Sequence, residues 1–110
     1  MKYFISGSMR GHQRLNWAAF EEKASYFRSL GNEVFCPTEA FSALGVDPEN
    51  PPEMSKQFIA DCLSAAIKEM GSCDTIYMLA GWRKSSGARC EHAAAVALGL
   101  LVQEEKAIAG

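Results

Sequence analysis

The sequence predicts an α/β fold: a three-layer sandwich with a flavodoxin- or Rossmann-like parallel sheet of four to five strands, ordered 2-1-3-4. Three observations carry that expectation. Short apolar runs alternate with longer stretches of helical periodicity, in the order βαβαβαβ. Parallel strands need helical crossovers, and the alternation supplies them. Glycine-bearing loops follow the first and third apolar runs, at the carboxyl ends where such sheets hold ligands.

Residues 3–6 read as the first strand, followed by Gly7-Ser8-Met9-Arg10-Gly11-His12. Two glycines around a serine and an arginine let backbone approach a ligand closely, and a plain turn is an equal reading. Asn16 is a suitable helix N-cap, with Leu15 and Phe20 spaced as a hydrophobic staple. Trp17, Phe20, Ala24, Phe27 and Leu30 then recur at helical spacing, opposite Glu21, Glu22, Ser25 and Arg28. In that stripe Trp17 reads as core rather than as a base-stacking residue. Gly31 ends the helix in a left-handed position.

Residues 34–36 make a short second strand, stopped by Pro37. From 38 to 52 the chain reads as one loop, stiffened by Pro48, Pro51 and Pro52. Its length suits a lid or binding loop, and equally a surface excursion. Residues 53–70 form the second helix, with Phe58, Ile59, Cys62, Leu63, Ala66, Ile67 and Met70 in one apolar stripe and Gly71 closing it. Asp74 leads into a third strand at 75–79. A basic loop at 81–89 then gives way to an alanine-rich helix reaching Leu100. Residues 100–102 read as a weak final strand, and 104–110 as a tail or part of an oligomer interface.

A chain of 110 residues makes one domain, spanning 1–110, and buries roughly two-thirds of its unfolded surface. No apolar run approaches membrane-spanning length and the first strand begins too early for a signal sequence, so a cytoplasmic protein without a membrane partner is expected. Cys36, Cys62, Cys73 and Cys90 include no Cys-x-x-Cys pair, and His12 and His92 are the two histidines. Reduced core thiols are therefore expected, with neither metal nor cofactor. A net charge of −2 disfavours long nucleic acid. Five of the eleven cationic side chains nonetheless fall in two loops, as Arg10 and Arg14, then Arg83, Lys84 and Arg89. That clustering favours a small anionic ligand.

A strand, a glycine- and serine-rich basic loop and a helix opening is an arrangement that holds phosphate, because the first N–H groups of a helix lack internal partners and carry the positive end of its dipole. Glu91 falls about one turn into that helix. At an ordinary pKa of about 4.3 it is expected to be ionised at pH 7 without tuning. A purely structural reading makes it a first-turn glutamate that stabilises its helix by about 0.3–1 kcal/mol.

Three runs, "YFISGSMRGH", "LNWAAFEEKASYFRSLGNEVFCPTE" and "CDTIYMLAGWRKSSGARCEHAAAVALGL", resemble the nucleoside 2-deoxyribosyltransferase-like superfamily, particularly its short single-domain members. Residues 40–72 match poorly. The resemblance implies cleavage or transfer at the N-glycosidic bond of a nucleoside or nucleoside monophosphate, in a homo-oligomer whose neighbouring subunits complete each pocket. Glu91 aligns with the family nucleophile that attacks C1′, a role consistent with the covalent chemistry of retaining glycosidases. Ser8, Arg10 and Ser85 align with groups that hold a 5′-phosphate. Gly7 and Gly87 shape the two loops, which also carry Met9 and Ser86 into the expected substrate site. Two positions depart from the pattern. Phe4 stands where the family often has tyrosine, and Ala66 where counting back from Asp74 reaches an aspartate in the family. Asp61 is the nearest candidate for the leaving-group acid, although its helical angle is about 155° from the centre of the apolar stripe. The alternative function is a nucleotide-binding or sensing module that kept the pocket without the chemistry.

Overall fold

In the computed structural model, which describes residues 1–106, the chain runs β1 (Lys2–Ser6), α1 (Trp17–Ser29), β2 (Glu33–Phe35), α2 (Pro37–Ala43), α3 (Lys56–Met70), β3 (Thr75–Met78), α4 (Ser86–Leu98) and β4 (Leu101–Glu104). The strands form one parallel sheet in the order β2-β1-β3-β4, as the sequence predicts. Phe4 pairs with Phe35 of β2 on one side and with Ile76 of β3 on the other.

Alternation along β1 decides the layering. Tyr3 and Ile5 pack with Phe20, Ala24 and Phe27 of α1. Phe4 points the opposite way, into a cluster with Ala66 and Met70 of α3, Ala88 and Ala95 of α4, and Ile76 and Met78 of β3. Successive strand residues face opposite sides, so one short strand feeds both halves of the core. Phe4, Ile5, Phe20, Met70, Ile76 and Met78 are fully buried. Burying each such side chain contributes about 1.5–3 kcal/mol before chain entropy is counted.

Several local expectations are corrected. Asn16 does not cap α1 with its side chain. It lies in the left-handed region at φ 61°, and its Nδ2 donates to the Ser8 carbonyl at 3.0 Å. Arg14 and Leu15 share that sign of φ, which costs roughly 1–2 kcal/mol per residue. Ordering the first loop took precedence over capping the helix. Leu30, expected at the end of the buried stripe, is exposed, as is Ile67 of α3.

Pro37 does more than stop β2. It occupies the start of α2, where its missing N–H costs nothing, so residues 38–52 are not one long loop. α3 begins at Lys56, later than residue 53, because the Ser55 hydroxyl accepts the Phe58 N–H at 3.1 Å. α4 begins inside the expected basic loop, where the Ser85 hydroxyl accepts the Ala88 N–H at 3.2 Å. Ser85→Ala is expected to cost about 1 kcal/mol of stability, measured by urea unfolding; no change would mean that the cap is idle.

The segment after residue 103 is not a loose tail where it is described. Glu104 ends β4, and the Glu105 N–H donates to the Met78 carbonyl at 2.8 Å. Glu105 also accepts from the Ala80 N–H and pairs with Lys23. Residues 107–110, included in the expected tail, lie outside the described residues. Among the described residues no helix is long and apolar enough to cross a membrane.

Candidate functional site

From β1 the chain turns to one side to build β2, and from β3 it turns to the other to build β4. The loops leaving β1 and β3 therefore diverge and open a crevice outside the carboxyl ends of the two central strands. Backbone pairing continues to its edge, with the Leu79 N–H donating to the Ser6 carbonyl at 2.8 Å. Gly7 follows directly. A Cβ there would lie 2.8 Å from Leu79 Cβ, so this close approach requires glycine.

The crevice encloses about 180 Å³. Phe4, Phe20, Phe35, Phe41 and Phe58 give it aromatic walls, and Phe41 and Phe58 face each other at 6.3 Å between ring centres. Gly7, Met9 and Arg10 reach it from the first loop, Ser85 and Gly87 from the start of α4, and Glu91 from one turn further on. Both glycine-bearing loops and the carboxylate singled out in the sequence thus border one cleft.

The remaining expected residues lie elsewhere. Ser8 is buried, and its carbonyl receives the Asn16 amide. Ser86 is exposed at the first position of α4, and neither serine lines the cleft. Asp61 sits on the exposed side of α3, where Gln57 Nε2 donates to its Oδ1 at 2.8 Å. Its neighbour Cys62 faces the cleft instead.

The convergence of cationic charge is also corrected. Arg10 is the member of the five that borders the cleft among the described residues. Arg14 pairs with Glu49 at 2.7 Å. Arg83 pairs with Glu104 at 2.9 Å and covers the Trp82 ring at 4.6 Å. Lys84 and Arg89 are exposed. The early start of α4 and the tight turn at Trp82–Lys84 carry these basic groups away from the pocket. Trp82 belongs to the core: it stacks on His92 at 4.5 Å, and its indole N–H donates to Glu104 at 2.8 Å.

Glu91 is half-buried and differs most from the sequence expectation. Loss of water around it pushes its pKa up to about 7, against an opposing pull from the Ser6 hydroxyl, which donates to Oε1 at 2.6 Å. A carboxyl at an ordinary pKa would be fully ionised at neutral pH; this one is divided between its two forms. Counting Ser86 as the first residue, Glu91 is the sixth of α4, beyond the first turn where a helix dipole acts most strongly. Burial also pushes the Cys62 thiol up, and the nearby Asp61 and Glu91 charges add to that effect.

Ser6 was not singled out in the sequence. Its signal was the period of two along β1, which puts it on the face of Phe4, towards α4. Phe4 contributes no hydroxyl to that face, and Ser6 does.

The model of a family described as "Domain of unknown function (DUF4406)" matches residues 1–104, and the chain belongs to that family. No curated protein matches it.

Proposed function

We propose that this member of the DUF4406 family breaks or exchanges the N-glycosidic bond of a nucleoside or nucleoside monophosphate in the cytoplasm, with Glu91 as nucleophile. The observation that carries the reading is a water-poor carboxyl in an aromatic cleft at the switch point of the sheet. The aromatic walls suit the flat face of a base, and Arg10 with the start of α4 suits an anionic group on the sugar. The Glu91 carboxylate attacks C1′, the C1′–N bond breaks, and its electron pair leaves with the base. Water or a second base then displaces the sugar from Glu91. The departing base takes its proton from water, because Glu91, the one carboxyl bordering the cleft among the described residues, is ionised and then esterified in this step.

Because a nucleophile must be ionised, kcat/KM is expected to rise with pH and level off above about 7. If Glu91 served instead as a general acid, the rate would fall across that range. Incubation with deoxynucleosides and their 5′-monophosphates, with free base read by chromatography, measures both the activity and its pH profile.

The position of Asp61 favours a second reading, a nucleotide-binding module without catalysis, since a leaving-group acid is then superfluous. Ligand binding seen by calorimetry without release of base would favour it. The proposal includes a homo-oligomer. Val96 and Leu98 at the end of α4 and Leu101 on the edge strand β4 are at least half exposed, a surface that a second copy could cover. Light scattering is expected to give at least twice the 12.0 kDa chain mass; a monomer at every concentration would contradict this part.

A further inference from the structure

We infer that Ser6 is a positioning residue for Glu91: its hydroxyl holds Oε1 and leaves Oε2 as the oxygen available to a reactant. The geometry stands by itself, while the word "reactant" rests on the proposed glycosidic chemistry.

Ser6 is the last residue of β1 and is fully buried. Its backbone is fixed by the pairing of β1 with β3 and by the bond from Leu79 to its carbonyl. The side chain therefore leaves a rigid platform, and Glu91 is its hydrogen-bond partner. A buried hydroxyl without a partner is costly, so this bond is needed for the fold as well as for the carboxyl. An ionised carboxylate can only accept, which makes Ser6 the donor in that state. The separation of 2.6 Å lies in the range of charge-assisted O–H···O⁻ bonds.

Other polar groups near Glu91 do not duplicate this contact. Arg10 approaches the cleft from the loop after β1, Cys62 from α3 and Ser85 from the start of α4. His92, the next residue on α4, is stacked on Trp82. Among the described residues none of these hydrogen-bonds to Glu91, and Oε2 has no partner. Ser6 thus favours the charged form and fixes which oxygen is occupied.

The decisive experiment is Ser6→Ala, followed by a ¹³C carboxyl titration of Glu91, whose resonance is assigned by its absence in Glu91→Gln. The midpoint is expected to move up by about one to two pH units, the equivalent of a lost hydrogen bond to a charged group. Activity at neutral pH should fall about five- to fiftyfold and recover largely above about pH 9, because deprotonation replaces the lost stabilisation. Ser6→Thr, which keeps the hydroxyl, should restore the neutral-pH rate. A folded Ser6→Ala protein with an unmoved midpoint, or with activity lost equally at all pH values, overturns the proposal.

A measurement on the wild type guards against a variant that does not fold. The Ser6 Cβ resonance should titrate together with the Glu91 carboxyl and cease to titrate in Glu91→Gln; independence of the two overturns the proposal. A midpoint that moves in Ser6→Ala while no substrate releases base from the wild type would support the contact and reject the glycosidic reading.

Discussion

Replacing Glu91 with glutamine is expected to abolish base release and, above neutral pH, to stabilise the fold. Loss of the proposed nucleophile should lower the rate by at least about three orders of magnitude, since groups that act as a unit lose most of their effect together. The stability effect has a definite sign. The carboxyl has a pKa of about 7 in the folded protein, above the roughly 4.3 of an unfolded chain. Between these values the folded state holds the extra proton, so this group makes stability fall as pH rises. The full loss above about pH 7 is on the order of 4 kcal/mol. Glutamine does not ionise and removes that dependence.

Urea unfolding at about pH 5 and pH 8 should therefore find similar proteins in acid and a more stable variant in base. Glu39, held low by its hydrogen bonds from Arg28, acts in the opposite direction. Its contribution is lost as pH falls below the ordinary carboxyl range, outside this window. Wild-type activity in Glu91→Gln would exclude the nucleophile role. An equal difference in stability at both pH values would mean that burial of the carboxylate costs nothing.

Gly7→Ala is expected to cost about 1–3 kcal/mol and to impair the site through the first loop. The new methyl would lie 2.8 Å from Leu79 Cβ and 2.9 Å from its Cδ1. Leu79 Cβ is attached to backbone held by the bond to Ser6, so the loop must yield instead. Met9 and Arg10 would move with it, and KM should rise together with the loss of stability. Gly11 provides the contrast: at φ 83° it has open space around it, and alanine there incurs backbone strain alone. Urea unfolding and Michaelis kinetics on both variants measure the difference. If Gly7→Ala is as stable and as active as the wild type, close approach at the switch point is not a constraint.

The layered fold was legible because its main signals are periodic. Tyr3 and Ile5 against Phe4, and the stripe at Phe20, Ala24 and Phe27, each follow from strand or helix geometry. Parallel pairing followed from the need for crossovers, and the strand order from the flavodoxin-like arrangement of such sheets. The meeting of Gly7, Met9 and Arg10 with Ser85, Gly87 and Glu91 followed from where the chain reverses.

What was misread depended on tertiary competition. Asn16 could cap a helix or tie a loop, and spacing alone does not choose between them. Pro37 could end a strand or open a helix. Formal charge suggested two basic turns facing one ligand, but Glu49 and Glu104 hold Arg14 and Arg83. The perturbed state of Glu91 was beyond sequence reading, since it depends on how much water the surrounding protein excludes. Ser6 carries no sequence signal of its own for a similar reason: a serine at the end of a strand acquires meaning from what α4 places opposite it.

Trapping the sugar on the protein tests the proposed covalent chemistry most directly. Wild-type protein would be incubated with deoxynucleosides and their 5′-monophosphates, quenched in acid, digested and weighed by mass spectrometry. The expected result is a deoxyribosyl or phosphodeoxyribosyl addition on the peptide containing Glu91, absent from Glu91→Gln, with free base in solution. Tight binding by calorimetry with neither added mass nor released base, or an adduct on another residue, would contradict it.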